Sequence, residues 1–477
     1  MIFRNRPGPN ALTMANMTTI FDPWRFSAVS MDVATSARAS AQAISGRQQA
    51  RLASLLEGAM RDSRFYREHL RGVDPQSAAL AELPPVSRQA LMGCFDDWVT
   101  DPRLTLNELR AFTADAQRIG EAYLGQYLVW ESSGTSHQPG IFIQNAQTMA
   151  VYDALEALRR TAPRPLQRWF DPLGLTERIA YVGATSGHFA SAVTMQRLRA
   201  LHPWRAVSIR SFSILQSTRL LVNELNAFAP TVIATYPTVA VVLANEADHG
   251  ALHFAPSEIW TGGENLSPAV RRRLELTFGS AVRSSYGASE FMSIAWECEQ
   301  RRMHVNADWV ILEPVDAHGQ PMPAGEWSHS TLLTNLANPV QPLIRYDLGD
   351  QTRLRHEPCA CGSALPVIEL LGRRDDAIVM AGRRGKPVTL LPLALTTVLE
   401  DEAGVFDFHL CQHDDRTLLL RLVLQGSEGE AAAERCRAVL KKFADTQEIK
   451  PIKLLCELGQ TMPRGRSGKG KRIVALK

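Results

Sequence analysis

Short β-rich runs that alternate with helix-like stretches constrain the fold of this chain more than any other feature. The runs recur roughly every 25 residues between 178 and 287, a spacing typical of βαβ units. They read "RIAYVGA", "RAVSIRS", "PTVIATYP", "SEIWTGG" and "AVRSSYG". This alternation predicts an α/β domain built on a mostly parallel sheet. The helix after "GGENLSP" is predicted to begin with Ser267 as its N-cap and Pro268 at its first position.

The segments on either side of this region extend the large domain and add a second, smaller one. Residues 47–72 have apolar positions at helical spacing, and strand and turn patterns of an antiparallel region follow residue 305. The last segment alternates helix, strand, strand, helix, strand, which is typical of a small α+β unit. We therefore expect a large α/β domain of stacked, mostly parallel sheets with helices, and a small mobile C-terminal domain. The predicted bounds are a partly disordered extension at 1–45, a large domain at 46–373, a hinge at 374–376 and a small domain at 377–477.

Charge and cysteine content exclude several classes of protein. The chain has 52 Lys and Arg against 49 Asp and Glu, and this balance disfavours nucleic acid or an anionic membrane as a partner. No uncharged apolar run is long enough for a membrane span, and the N-terminus lacks the pattern of a secretory signal. Seven cysteines, an odd number, disfavour a disulfide framework. We expect a cytoplasmic monomer or homodimer.

The stretch "WESSGTSHQPG" is the first candidate for a functional site. A string rich in Ser and Gly is often a flexible linker. This one, however, lies between the apolar run "YLGQYLVW" and the predicted strand "GIFIQ", as the loop of a hairpin would. The backbone N–H groups and hydroxyls of such a loop can surround phosphate oxygens. It is not a Walker A loop, because the Gly-x4-Gly-Lys-Ser/Thr pattern is absent.

Six segments follow one another along the chain: "SSGTSHQPG", "WTGGENLSP", "SSYGASE", "IRYDLGD", "GRRDD" and "PRGRSGKGKR". In this order they resemble the adenylate-forming superfamily of acyl-CoA synthetases, peptide-synthetase adenylation domains and luciferases. "SSGTSHQPG" is similar to the phosphate loop of that superfamily, and "WTGGENLSP" to its Gly-Gly-Glu segment. "SSYGASE" and "IRYDLGD" are similar to its Tyr-Gly-x-Ser/Thr-Glu and Arg-Tyr-x-x-Gly-Asp motifs. "GRRDD" and "PRGRSGKGKR" match its hinge and its terminal lysine motif. "FYREHL", "YGASE" and "CACGSALPVIELLGRRDD" are most similar to phenylacetate-CoA ligase and its relatives.

The resemblance implies a role for each motif residue. Tyr286 would stack on adenine at the carboxyl end of a strand, and Glu290 would hold Mg²⁺. Asp350 would hold the ribose hydroxyls, and Arg373 would bind ribose or phosphate. Lys469 would stabilise the charge that develops on the acyl-phosphate oxygens. The implied ATP- and AMP-binding residues are Ser132, Ser133, Gly134, Thr135, Ser136, Gly262, Gly263, Glu264, Ser285, Tyr286, Gly287, Ala288, Ser289, Asp350 and Arg373.

The implied activity is that of an acid:CoA ligase acting on an aromatic carboxylic acid. ATP would convert the acid to an acyl-adenylate, the small domain would rotate about Asp375 and Asp376, and coenzyme A would then displace AMP. His188, and Tyr236 with Pro237, are candidates for the acid pocket, although core or capping roles are equally consistent with their sequence positions.

Two departures from the family pattern leave alternatives open. His137 and Gln138 replace the usual Gly-Lys of the phosphate loop, which removes backbone freedom and one phosphate contact. "AGRRGKPVTLLP" differs from the segment that follows the hinge in close relatives. The acceptor could therefore be a carrier-protein thiol or an amine instead of coenzyme A, and a non-catalytic nucleotide-binding relative is a further alternative.

Three cysteines and a histidine are candidates for a zinc site. Cys298 and His304 lie in "ECEQRRMH", and Cys359 and Cys361 lie in "CACG". Three thiolates and one imidazole are a common tetrahedral zinc set, although Cys-x-Cys alone is a weak signal. The two segments also recur as a pair in proteins similar to phenylacetate-CoA ligase, some of which bind zinc there. We expect structural zinc, with buried thiols and a hydrogen-bonded histidine as the alternative.

Overall fold

A layer of helices begins the part of the chain that the structure describes. In this computed structural model the described residues are 20–132, 139–159, 176–355, 357–373, 378–383, 385, 387–390, 392–461 and 472–476. The helices before the first parallel strand are α1 (Pro23–Ser36), α2 (Ala41–Asp62), α3 (Arg64–His69), α4 (Arg88–Gly93), α5 (Phe95–Trp98), α6 (Leu106–Ala114) and α7 (Ala146–Arg159).

Helix α1 belongs to the core of the large domain. Its Ser36 hydroxyl donates to Asp308 Oδ2 over 2.7 Å, and Arg159 of α7 donates to the same oxygen over 2.7 Å. Asp308 and Arg159 are both buried, so these bonds satisfy charges that would otherwise destabilise the fold. The packed chain therefore begins well before the predicted boundary at residue 46. The predicted N-terminal tail, up to residue 19, lies outside the described residues.

A nine-stranded mixed sheet forms the centre of the described large domain. Its order is β13-β14-β9-β8-β7-β6-β5-β3-β4. Strands β4, β3, β5, β6 and β7 pair in parallel, which confirms the prediction from the alternating pattern. The other strands continue the same sheet in antiparallel pairs. The strands are β3 (Ile179–Gly183), β4 (Ile209–Ser213), β5 (Val232–Thr235), β6 (Glu258–Thr261), β7 (Ala281–Tyr286), β8 (Ala295–Glu297), β9 (Met303–Val305), β13 (Asp350–Arg355) and β14 (Val367–Arg373).

The crossover helices include the one predicted after "GGENLSP". They are α8 (Ala190–Leu201), α9 (Thr218–Phe228), α10 (Pro237–Asp248) and α11 (Pro268–Phe278). The Ser267 hydroxyl accepts from Val270 N over 3.1 Å, and Pro268 is the first helical residue, as predicted. A hydroxyl that accepts from the third backbone amide satisfies one of the unpaired donors at a helix start.

Two small antiparallel sheets complete the large domain. The two-stranded one pairs β1 (Leu128–Glu131) with β2 (Ile141–Gln144). The three-stranded one contains β10 (Val310–Val315), β11 (Ser330–Asn335) and β12 (Tyr346–Asp347). The chain between β1 and β2 is the Ser/Gly-rich loop, so the predicted hairpin is confirmed by the strands that flank it.

The C-terminal segment folds around its own apolar core, as its pattern predicts. In the described part of the chain, no helix combines the length and the apolar content needed to cross a membrane. The C-terminal elements are β15 (Ile378–Ala381), β16 (Pro387–Leu390), α12 (Pro392–Thr397) with the π-helical turn Val398–Glu402, β17 (Phe408–Gln412), β18 (Thr417–Leu422), α13 (Gly426–Thr446), β19 (Lys453–Glu457) and β20 (Ile473–Val474).

Candidate active site

The base of the Ser/Gly-rich loop is closed by two hydrogen bonds. Ser132 N donates to Gly140 O over 2.8 Å, and Gly140 N donates to the Ser132 hydroxyl over 2.8 Å. Strands β1 and β2 are buried on both faces, so the start and end of the loop are fixed on a rigid hairpin. The predicted phosphate-binding residues Ser133, Gly134, Thr135 and Ser136 lie outside the described residues.

The segment after β7 passes close to that hairpin. Trp130 Nε1 donates to the carbonyl of Ser289 over 2.9 Å, which joins β1 to the "YGASE" segment. A Cβ atom on Gly287 would lie 2.0 Å from the carbonyl oxygen of Met292. Only glycine fits this turn, so the motif glycine has a steric cause in this chain.

Tyr286, Asp350 and Arg373 meet at one edge of the sheet. The Tyr286 hydroxyl donates to Asp350 Oδ2 over 2.5 Å, and Arg373 Nε lies 3.9 Å from Asp350 Oδ1. Asp350 and Arg373 are register partners on β13 and β14. Burial, reinforced by the Asp350 carboxylate, raises the pKa of Tyr286 well above its usual value, so the phenol remains a neutral donor. Three residues implied by separate motifs therefore form one cluster.

Glu290 is the centre of a second polar cluster. Its side chain is buried, and its Oε1 accepts from the Tyr346 hydroxyl over 2.8 Å. Arg88, from α4, has its Nη2 atom 4.0 Å from the same oxygen and its Nε 3.4 Å from the Tyr346 hydroxyl. Burial and the nearby Glu290 charge raise the pKa of Tyr346 well above its usual value. The Tyr346 phenol and the Arg88 guanidinium thus both lie close to one oxygen of the buried Glu290 carboxylate.

The Gly-Gly-Glu segment organises the neighbouring helix. Glu264 accepts from the backbone N and the hydroxyl of Thr238, both over 3.1 Å, at the start of α10. Gly263 has a φ of 75°, and a Cβ on Gly262 would lie 3.2 Å from the Ser285 hydroxyl. The segment is therefore held tightly between β6 and β7, at the carboxyl ends of parallel strands where sheet folds bind ligands.

The predicted acid-pocket residues lie in two different surroundings. His188 is buried, its Nε2 lies 3.0 Å from the Asp115 carbonyl, and its ring packs edge-on against Phe112. The Tyr236 hydroxyl lies 3.4 Å from that of Tyr181, and Pro237 is the first residue of α10. Helix capping and packing therefore account for part of what each residue does, and a pocket role stays a prediction.

Arg88 and Tyr181 join the candidate site although sequence reasoning did not select them. Arg88 lies in "PPVSRQALM", far from every motif, and only the packing of α4 brings it to Glu290. Tyr181 lies within a buried strand, where an aromatic residue is ordinary. No sequence signal distinguished either residue. The predicted hinge residues Asp375 and Asp376, and the predicted catalytic Lys469, lie outside the described residues.

The cysteines and the histidine selected for zinc converge on one point. The donor atoms of Cys298, His304, Cys359 and Cys361 all lie within 4.8 Å of one another. Cys298 Sγ is 3.9 Å from Cys359 Sγ, and Cys361 Sγ is 3.3 Å from His304 Nε2. His304 Nδ1 lies 2.8 Å from the Leu365 carbonyl and donates to it, which leaves Nε2 facing the thiols. The four residues come from the β8–β9 hairpin and the loop between β13 and β14.

Comparisons with known proteins agree with this architecture. No family model matches the chain. It is 31% identical over 183 residues to phenylacetate-coenzyme A ligase from Thermus thermophilus, covering 36% of this chain and 39% of that protein. It is 24% identical over 216 residues to protein CapK from Staphylococcus aureus, covering 44% and 45%. The chain thus matches less than half the length of each of these curated relatives.

Solved structures match over nearly the whole length. A 2-hydroxyisobutyryl-CoA ligase in its postadenylation state, in complex with R3-HIB-AMP, has a TM-score of 0.67 at 19% identity, covering 92% of this chain and 91% of that chain. The same ligase in its thioesterification state, in complex with 2-HIB-AMP and CoA, has a TM-score of 0.55 at 20% identity, covering 92% and 91%.

The fold is that of the 2-hydroxyisobutyryl-CoA ligase structures, and it brings together residues from several separate motifs of this chain. Over 36% of its length, the sequence is also similar to phenylacetate-coenzyme A ligase.

Proposed function

We propose that this protein is an ATP-dependent ligase that activates an aromatic carboxylic acid as an acyl-adenylate and transfers the acyl group to coenzyme A. The observation that carries the proposal is the cluster of Tyr286, Asp350 and Arg373. The segment that follows Tyr286 is joined by the Trp130–Ser289 bond to the hairpin that closes the Ser/Gly-rich loop. A neutral phenol, a carboxylate and a guanidinium at one sheet edge suit an aromatic base, ribose hydroxyls and phosphate respectively.

The first half-reaction is a displacement at phosphorus. A carboxylate oxygen of the acid attacks the α-phosphorus of ATP, the bond to the bridging oxygen breaks, and pyrophosphate leaves. Glu290 is the residue that would hold Mg²⁺, and among the described residues Tyr346 and Arg88 both lie close to its Oε1. The ion would supply charge neutralisation on the phosphate oxygens. The rest of the protein's contribution to catalysis is the positioning of the two reactants, because the reaction needs no covalent bond to the protein.

The second half-reaction transfers the acyl group. The thiolate of coenzyme A attacks the adenylate carbonyl, a tetrahedral intermediate forms, and AMP leaves as the carbon–oxygen bond breaks. A rotation of the small domain about Asp375 and Asp376 would withdraw Lys469 and admit the thiol. The coenzyme A complexes of the structurally similar ligase support this choice of acceptor.

A panel of acids measured by ATP–pyrophosphate exchange tests the proposal. We expect exchange with an aryl or arylalkanoic acid, and coenzyme A should then yield a thioester and AMP in equal amounts. Because the structurally similar ligase has been solved in complex with 2-HIB-AMP, short hydroxy acids belong in the same panel. Exchange without thioester formation would favour a carrier-protein thiol or an amine as acceptor. Absence of exchange with every acid would contradict the enzyme assignment.

Arg88 is proposed as a phosphate contact that replaces the lysine missing from the loop. Its guanidinium lies 4.0 Å from Glu290, the residue assigned to the metal and phosphates. We expect Arg88→Ala to raise the KM for ATP about tenfold, because hydrogen bonds to charged groups contribute roughly 1.5–3 kcal/mol. Arg88→Lys should recover part of this loss. Arg64→Ala, at an exposed arginine of α3, is the control, and an equal effect there would refute the assignment.

We also propose structural zinc at Cys298, His304, Cys359 and Cys361. Tetrahedral ligands at a zinc–sulfur distance of about 2.3 Å place sulfur atoms about 3.8 Å apart. The two sulfur atoms of Cys298 and Cys359 are separated by 3.9 Å, which fits that geometry. The hydrogen bond from His304 Nδ1 to a backbone carbonyl is the usual outer contact of a zinc-bound imidazole. Four protein ligands leave no open position, so the ion would join two segments of the sheet and take no part in the reaction.

A further inference from the structure

A small cavity lies between helix α7 and the nine-stranded sheet, beside the segments assigned to the nucleotide. Its lining includes Thr261 and Ser285, which immediately precede Gly262 and Tyr286 in the chain. The volume of the cavity is about 30 Å³. A cavity needs about 10–15 Å³ to hold one water, whereas an engineered cavity that binds benzene measures about 150 Å³. The space therefore suits a small substituent and not a whole aromatic ring.

The floor of this cavity is one face of strands β6, β7 and β8. Arg283 and Ser285 are two residues apart on β7, so their side chains lie on the same face of the sheet. Trp260 on β6 is the register partner of Arg283, and Trp296 on β8 is the register partner of Ser285. Both indoles line the cavity as well. The three strands thus bring two indoles, a guanidinium and a hydroxyl to one wall.

The opposite wall contributes a carboxylate from the last turn of α7. Glu156 lines the cavity, and its Oε1 accepts from the Ser293 hydroxyl. An ionised carboxylate has about four acceptor positions, so Glu156 can accept from Ser293 and from a ligand at the same time. The second carboxylate of the lining, Glu297, is paired with Arg271 over 2.6 Å, which balances its charge within the protein.

Two hydrogen-bond donors in the floor have no partner among the described residues. They are Arg283 Nε and Trp296 Nε1, and both nitrogen atoms are buried. A buried donor without a partner is costly, and neither an indole N–H nor a guanidinium can act as an acceptor. Trp296 is held in place because its ring stacks on that of the buried His304, with 5.3 Å between the centroids. An acceptor atom in the cavity would satisfy these donors.

A hydroxyl is the small group that matches both walls. Its proton can be donated to Glu156, and its lone pairs can accept from Trp296 or Arg283. An ammonium group would leave both donors unpaired, and a second carboxylate on the ligand would be repelled by Glu156. An unsubstituted ring would satisfy none of these polar groups.

We propose that the acid is a hydroxyaryl acid, whose hydroxyl enters this cavity while its carboxylate lies at the nucleotide segments. Glu156, Arg283 and Trp296 are then the residues that determine specificity. This inference rests on the proposed function, because it names the substrate class of the same site.

Matched acids test the inference in the full chain. In ATP–pyrophosphate exchange, the kcat/KM of a hydroxyaryl acid should exceed that of the same acid without its hydroxyl by about 10²-fold or more. The reason is that a site built to bond a hydroxyl strongly rejects an analogue that lacks it. The methyl ether of the hydroxy acid can accept a hydrogen bond but cannot donate one, so its kcat/KM should lie near that of the unsubstituted acid.

Two substitutions each remove one partner of the hydroxyl while keeping a side chain of similar shape. Glu156→Gln and Trp296→Phe should each reduce the ratio of the two kcat/KM values about tenfold. Trp260→Phe is the matched control, because Trp260 Nε1 already donates to Glu258 over 2.8 Å. This third variant should keep the wild-type ratio.

The outcomes separate this inference from the proposed function. Equal kcat/KM for the hydroxylated and unsubstituted acids in the wild-type protein would overturn the inference and leave the proposed function standing. A ratio that either Glu156→Gln or Trp296→Phe leaves unchanged would do the same. Absence of exchange with every acid, hydroxylated or not, would contradict the proposed function, and the inference would fail with it.

Discussion

Lys469→Ala is expected to reduce acyl-adenylate formation by about 10²–10³-fold while leaving ATP binding largely intact. A cation that contacts the acyl-phosphate oxygens only as charge develops stabilises the transition state more than the bound substrate, so kcat falls and KM changes little. ATP–pyrophosphate exchange measures the loss of activity, and equilibrium binding measures whether the affinity for ATP is retained.

The second half-reaction supplies the internal control for this variant. Because Lys469 is assigned to adenylation alone, Lys469→Ala should still convert a synthetic acyl-adenylate to the thioester. Lys441→Ala, at an exposed lysine on α13, controls for the loss of one positive charge from the small domain. Unchanged exchange in Lys469→Ala would contradict the role assigned to this lysine.

Local signals predicted the sheet and its crossover helices well. The start of α11 is an example, since a serine followed by proline determines both the cap and the first helical position through local bonds alone. For Gly287, which the sequence analysis selected as a nucleotide-binding residue, the structure adds a steric reason, because the turn after β7 has no room for a side chain. Where one residue and its close neighbours determine a structure, the sequence is sufficient to predict it.

Local sequence signals do not predict contacts between segments that are distant along the chain. The predicted boundary at residue 46 left out α1, whose place in the core depends on a buried bond from Ser36 to Asp308. Arg88 approaches Glu290 only because α4 packs beside β12 and the "YGASE" segment. A serine, an arginine or a glutamate has no sequence pattern that marks it as buried.

Cys359→Ser is expected to remove zinc from the protein and to lower its thermal stability. Loss of a structural metal is among the few single changes that cost about 4 kcal/mol or more. For a large domain this corresponds to a fall of roughly 8–16 °C in Tm. The physical reason is that the ion would hold the β8–β9 hairpin to the loop between β13 and β14. Strand β14 ends at Arg373, which lies in the cluster with Tyr286 and Asp350.

Metal analysis of purified wild-type protein should give about one zinc per chain, and Cys359→Ser should give none. Cys411→Ser is the matched control, because Cys411 also lies beside a histidine, at 3.1 Å from His409 Nδ1. Among the described residues, this pair does not belong to a cluster of three or more potential metal ligands. Cys411→Ser should retain both zinc and Tm. At temperatures below its lowered Tm, Cys359→Ser should keep most of its ATP–pyrophosphate exchange, because an ion with four protein ligands has no free position for substrate.

Two outcomes would contradict a structural zinc. Loss of exchange at an unchanged Tm would mean that the metal takes part in the reaction. Wild-type protein that contains no zinc, and whose stability does not change with a chelator, would mean that the thiols pack without an ion.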